Sequence, residues 1–203
     1  LDLSANRFGP KVALPLSHFV RLASKTLRYL NLRACFIQDL GIKLLCKPVT
    51  HGRVLCELNL ASNDITNKGA KLLSEALTKL NAPCLETLDL SRNKIGCDGC
   101  RALAVPLKLI RLPLRVLNLS YNPLCRTTRE TVTNMDVSGF SELMHSLHVN
   151  RAVEHLSVQY CGLVCRLEPL SEHGRIEKLD LSANRFGPKV ALPLSHFVRL
   201  ASK

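Results

Sequence analysis

The sequence contains no tryptophan, and aromatic residues make up only 4% of its 203 positions. A core without large rings has to be tiled from aliphatic side chains, so a fold pinned by a few aromatic pillars is not expected. No apolar run approaches the roughly 20 residues that a membrane-crossing helix needs, and no basic-then-apolar leader opens the chain. Acidic residues are scarce too: 16 Asp and Glu face 28 Lys and Arg, for a net charge of +12. The signatures of chemistry are also missing. No nucleophile stands with a base, no glycine loop is placed to cradle phosphate, and no carboxylate pair is set for acid–base work. Catalysis, a cofactor and a bound metal are therefore not expected.

What the chain has instead is one phrase, repeated. Residues 85–95 read Leu-Glu-Thr-Leu-Asp-Leu-Ser-Arg-Asn-Lys-Ile, with apolar residues at Leu85, Leu88, Leu90 and Ile95 and an asparagine at Asn93. The same spacing recurs at Leu55-Leu58-Leu60-Asn63-Ile65, Leu114-Leu117-Leu119-Asn122-Leu124 and Ile176-Leu179-Leu181-Asn184-Phe186. Cysteine takes the asparagine place in Leu27-Leu30-Leu32-Cys35-Ile37 and Val153-Leu156-Val158-Cys161-Leu163, and the chain opens inside a copy at Leu1-Leu3-Asn6-Phe8. This pattern resembles leucine-rich repeats, in which a short strand is followed by a turn locked by asparagine. Copies start near residues 1, 27, 55, 85, 114, 153 and 176, so residues 1–203 read as a single domain of about seven repeats. Because the chain begins in mid-motif and neither end shows a polar capping unit, it reads as a segment of a longer array.

The first complete spacings are 28, 30 and 29 residues, which leaves room for a helix in each repeat. Thr66 is placed to cap a helix from Lys68, along which Ala70, Leu73, Leu77 and Leu80 recur at helical spacing. Gly99, Cys100, Leu103 and Leu107 repeat this arrangement, and Gly41, Ile42 and Leu45 open a shorter helix that Pro48 and Gly52 are expected to end. The phrase from Asn67 to Leu77 resembles the helix of the ribonuclease inhibitor-like subfamily, which includes ribonuclease inhibitors, NOD-like receptors and Ran GTPase-activating proteins. That resemblance implies an α/β right-handed solenoid, a horseshoe arc with a parallel β-sheet on the concave face and helices on the convex face. Extracellular members usually carry disulfide-rich caps. The nine cysteines here form no such cluster, so buried free thiols and a cytoplasmic location are expected.

Three irregularities stand out. The fifth repeat is 39 residues long, with about eleven extra polar residues between Cys125 and Met135, and this insertion is expected to form a rim loop. The sixth is only 23 residues long, and with Pro169 and Gly174 its outer segment is expected to be irregular. Residues 1–25 also recur letter for letter as residues 179–203.

Some constellations invite a chemical reading, but a structural one is stronger. Cys97-x-x-Cys100 and Cys161-x-x-x-Cys165 have the look of two halves of a zinc site, yet Cys100 aligns with core position Ala70 and Cys161 fills the asparagine place. Cys97 is expected to be the exposed thiol. His145 and His148 can meet on one helix face but lack a third ligand.

The positive signal is the outward face of the strands. It carries Arg28, Tyr29, Arg33, Glu57, Glu86, Asp89, Arg92, Arg115, Tyr121, Glu154, His155, Gln159 and Tyr160, a set rich in the Tyr and Arg that anchor interfaces. With Lys178, Asp2, Glu177 and Asp180 counted as well, five basic strand-face positions meet seven acidic ones, a balance of −2 that leaves +14 for the rest of the chain. A mixed face of this kind argues against nucleic acid as the ligand and for another protein as partner. Arg126 and Arg129 in the inserted stretch are further candidates for partner contact. Two alternatives stay open. One is regulation of a small GTPase, which the Ran GTPase-activating proteins imply although their acidic tail is not matched here; the other is electrostatic attachment to RNA or acidic surfaces through the basic helices.

Overall fold

The computed structural model describes residues 1–51, 54–79, 84–109, 112–125, 138–163 and 175–186. Each described repeat after the first contributes a three-residue strand: β1 Tyr29–Asn31, β2 Glu57–Asn59, β3 Thr87–Asp89, β4 Val116–Asn118, β5 His155–Ser157 and β6 Lys178–Asp180. They pair in parallel in chain order, and the central leucines Leu30, Leu58, Leu88, Leu117, Leu156 and Leu179 form one row. Period-two alternation sends this row into the core and turns its neighbours outward. Ahead of β1, the first repeat adds a single bridge between Asp2 and Asn31.

Helices α1 Ala13–Leu22, α2 Gln38–His51, α3 Asn67–Thr78, α4 Cys97–Leu107 and α5 Ser138–Asn150 run along the other side. Their inward residues, such as Leu73, Leu77, Leu103, Phe140 and Leu147, pack with the strand leucines into one core. A helix is about 10 Å wide, whereas strands sit about 4.8 Å apart. The stack therefore bends into an arc with the sheet inside, and β1 and β6 do not pair with each other.

Each helix start is tied to the next. Asp39 accepts from the Thr66 N–H and hydroxyl at the head of α3, at 2.9 and 2.6 Å. Asn67 accepts from the Gly96 and Gly99 N–H groups at the head of α4. The Cys97 sulfur then accepts from the Gly139 N–H at the head of α5, at 3.2 Å. These orphan amides have no partner inside their own helices, so the preceding repeat supplies one. Thr66 also caps α3 locally, accepting from the Lys68 N–H.

Two expectations are corrected. Pro48 does not end the second helix: α2 continues to His51. The buried Ile42, Leu45 and Val49 hold that helix on the core, at the cost of one backbone bond where proline lacks a donor. Cys97 is not exposed either. It is 6% accessible, pressed against Gly139 where α5 packs on α4. The expectations of an irregular segment around Pro169 and Gly174 and of a rim loop after Cys125, with Arg126 and Arg129, fall on residues outside the described ones.

The asparagine and cysteine positions form a buried ladder. The Asn93 side-chain oxygen accepts from the N–H groups of Asn63 and Ile65, while its amide donates to the carbonyls of Leu60, Leu90 and Ser91. Asn63, Asn122 and Asn184 make equivalent sets. At the cysteine rungs the thiol donates to carbonyls instead, Cys35 to Leu3 and Cys161 to Leu119. Every such bond removes an unsatisfied backbone group from an interior that would penalise it.

Candidate binding surface

The outward strand positions lie in rows that run across the repeats. In the row just ahead of the strands, the Arg115 guanidinium donates to Glu154 at 2.7 and 3.0 Å. That bond raises the arginine above its ordinary value and holds the Glu154 carboxyl below the usual carboxylate range. Glu86 and Arg28 stand exposed in the same row. The next row, set by strand register, places Tyr29 beside Glu57 at one end and His155 beside Lys178 at the other.

A third row serves the fold. Asn31, Asn59, Asp89, Asn118 and Asp180 each accept from the N–H two residues on, at 2.8–3.1 Å. Asp89 also accepts from the Asn118 amide, so both of its oxygens are engaged. This turn chemistry starts the bend at the end of each strand. The short polar residue that recurs at these positions is the sequence signal from which the turn caps could have been found.

The residue just before each ladder position is the feature that sequence reasoning missed. Ala5, Ala34, Ser62, Arg92, Tyr121, Tyr160 and Ala183 all adopt the left-handed backbone, with φ between 51° and 62°. For side-chain-bearing residues this costs on the order of 1 kcal/mol each. Bonds to the neighbouring turn offset it: Arg92 N–H donates to the Ser120 carbonyl, Tyr121 to Gln159 and Tyr160 to Ser182. The geometry swings these side chains onto the rim at the C-terminal ends of the strands.

The rim is small at both ends and large in the middle. The Arg92 guanidinium carbon lies 4.2 Å from the centre of the Tyr121 ring. Tyr121 and Tyr160 stack in turn, with centroids 5.5 Å apart and planes 29° from parallel. Tyr160 remains 63% exposed. Beside this stack opens a cleft of about 440 Å³, lined by Tyr121, Pro123, Tyr160, Gly162, Ala183 and Arg185. Tyr29 is not part of the cluster: it lies on β1, three strand steps or roughly 14 Å from the turn that carries Tyr121. Arg33 is likewise exposed after β1, while half-buried Gln159 donates through its backbone to the Ser120 hydroxyl.

Among the described residues, no group of three His, Cys, Asp or Glu side chains converges as metal ligands would. Cys100 and Cys161 are buried, and burial pushes both thiols up. His145 is exposed on α5. No described helix is long and apolar enough to cross a membrane.

A leucine-rich repeat family model matches residues 23–46, 53–74 and 81–104, and a second leucine-rich repeat model matches residues 113–135. The sheet, the ladder and these matches agree that the chain is a leucine-rich repeat protein. Within that class it is ribonuclease inhibitor-like. It is 33% identical over 177 residues to a ribonuclease inhibitor of Mus musculus, which covers 78% of this chain and 38% of that protein. It is 30% identical over 138 residues to human NACHT, LRR and PYD domains-containing protein 5, covering 64% of this chain and 11% of that protein. The chain thus spans well under half the length of either relative. Among solved structures, the tropomodulin C-terminal domain of Caenorhabditis elegans matches with a TM-score of 0.59 at 16% identity, covering 79% of this chain and 93% of that one. That likeness supports the same fold.

Proposed function

We propose that this chain is a protein-interaction module that grips another protein along the rim and concave face of its sheet. The observation that carries this reading is the stack of Arg92, Tyr121 and Tyr160 beside an open cleft. Aromatic and arginine side chains held rigid before binding lose little entropy on contact, which is what an interface anchor requires. The flanking charges Glu57, Glu86, Arg115, Glu154 and His155 would give the partner its register. The name of the murine relative suggests a ribonuclease as one candidate partner. On this reading residues 1–203 act as one repeat domain, and its unmodified thiols at Cys35, Cys100 and Cys161 suit a reducing, cytoplasmic setting.

The test is capture of partners from cytosol, and direct titration with a ribonuclease, by the intact chain and by the Arg92→Ala/Tyr121→Ala/Tyr160→Ala variant. Circular dichroism checks that the variant stays folded. Binding that survives a rise from about 50 to 200 mM salt and is lost in the variant supports the reading. Equal capture by both proteins refutes it, and binding lost to salt alone points to the basic helices.

A further inference from the structure

The turns that follow the strands carry an excess of one charge. In the five residues after each of β1 to β6 stand Arg33, Arg92, Lys94 and Arg185 against a single acid, Asp64, and Lys94 holds that acid at 2.8 Å. Arg33, Arg92 and Arg185 are exposed, and no described carboxylate pairs with any of them. Two of these arginines bracket the aromatic pair. Arg92 lies over the Tyr121 ring, which holds it in place and leaves it a planar fork of N–H donors, the shape that grips a carboxylate with two bonds. Arg185 stands on the other side of the cleft, its backbone N–H donating to the Leu163 carbonyl at 3.2 Å. Between them lie the stacked Tyr121 and Tyr160 and the small cleft-lining residues Pro123, Gly162 and Ala183.

We infer that this rim binds an extended, acidic segment of a partner protein, in which one apolar ring is flanked by two carboxylates. The inference rests on the reading of the rim as a contact surface and adds the chemistry of what it grips. The turns of Arg92 and Arg185 belong to the fourth and seventh repeats, three strand steps or roughly 14 Å apart. An extended peptide rises about 3.3 Å per residue and alternates its sides, so its first, third and fifth side chains point the same way and span roughly 13 Å. Acids at the first and fifth places reach the two arginines, and a ring at the third enters the cleft against the tyrosines. A cleft of about 440 Å³ accepts a side chain but not a helix, which is about 10 Å across. Nucleic acid fits less well. The sheet beside the rim exposes Glu57, Glu86, Glu177 and Asp180, which an unbroken run of phosphates would meet, whereas a peptide carries charge only at particular places.

NMR of the intact chain tests this, with the ring signals of Tyr121 and Tyr160 as the readout. A peptide with Asp-Ala-Phe-Ala-Asp at its centre is expected to shift both rings with half-saturation below about 1 mM, and its Lys-Ala-Phe-Ala-Lys counterpart is not. Arg92→Glu/Arg185→Glu should reverse that preference, by roughly tenfold or more. Should circular dichroism show this variant unfolded, Arg92→Gln/Arg185→Gln serves instead and should bind the two peptides alike. Tighter binding of the lysine peptide by the intact chain, or an unchanged preference in the charge variants, overturns the inference. So does tighter binding of an oligouridylate of about eight nucleotides, which would assign the rim to single-stranded nucleic acid. If the acidic peptide shifts neither ring while Arg92→Ala/Tyr121→Ala/Tyr160→Ala still loses its cytosolic partners, the acidic segment is refuted and the rim reading stands. If that variant keeps its partners, both fall.

Discussion

Asn93 is where the ladder can be tested most sharply. Replacing it with alanine strands the N–H groups of Asn63 and Ile65, which it accepts at 3.0 Å each, in a site only 6% accessible. The carbonyls fare better. Ser91 still accepts from the Ser62 N–H and Leu90 from the Asn122 amide, so the main acceptor loss falls on Leu60. A stranded buried donor costs about 1–3 kcal/mol, so two of them put Asn93→Ala at about 4 kcal/mol. That is a large share of a domain's usual 5–15 kcal/mol. Urea unfolding followed by circular dichroism, with linear extrapolation, reads the loss directly. Two controls bracket it. Asn6→Ala removes bonds only to nearby carbonyls at an exposed end and should cost within about 0.5 kcal/mol. Asn93→Cys should recover part of the loss, because Cys35 and Cys161 already fill rungs by donating to carbonyls. An Asn93→Ala loss below about 1 kcal/mol, or no larger than that of Asn6→Ala, would refute the reasoning.

Other expectations follow from single contacts. At Gly139 an added Cβ would fall on the Cys97 carbonyl, so Gly139→Ala should cost about 1–3 kcal/mol by forcing α5 off α4; the midpoint of urea unfolding reports it. Glu154 titrates below its ordinary value because Arg115 hydrogen-bonds its charged form. Its pairing therefore contributes above the unfolded carboxylate pKa and is lost as pH falls through the lower folded value, and in Arg115→Gln the NMR midpoint of Glu154 should move upward. Burial raises the Cys161 thiol to about 11 and the Cys46 thiol to about 12. At pH 8 iodoacetamide should spare both in the folded protein and label both in urea, as mass spectrometry of the digested chain would show.

How far the sequence could be read depended on the range of the physics involved. Strand and helix positions follow from burial patterns with periods of two and about 3.6, which lie within a few neighbouring residues. The row from Leu30 to Leu156, the α3 helix with its Thr66 cap, and the ladder from Cys35 to Asn184 were all legible on that basis. So was the outward face, because turning the leucines inward turns Arg28, Glu57, Glu86 and Arg115 out. What stayed hidden involves partners about 30 to 42 residues apart. Cys97 looked like a surface thiol until α5 was packed against it, and Pro48 looked like a stop until the core held the turn that contains it.

The composition and spacing of this chain by themselves determined that it folds as a leucine-rich solenoid and which residues flanking the strand leucines turn outward. Only the tertiary structure decided which of those residues act together. Arg92, Tyr121 and Tyr160 are separated by 29 and 39 residues of chain, and no local signal joins them. They meet because three successive turns adopt the same left-handed backbone, held by bonds to the next repeat, and because stacked strands set those turns one ring's reach apart. Burial is written along the chain, residue by residue. Proximity across repeats exists only once the repeats have stacked.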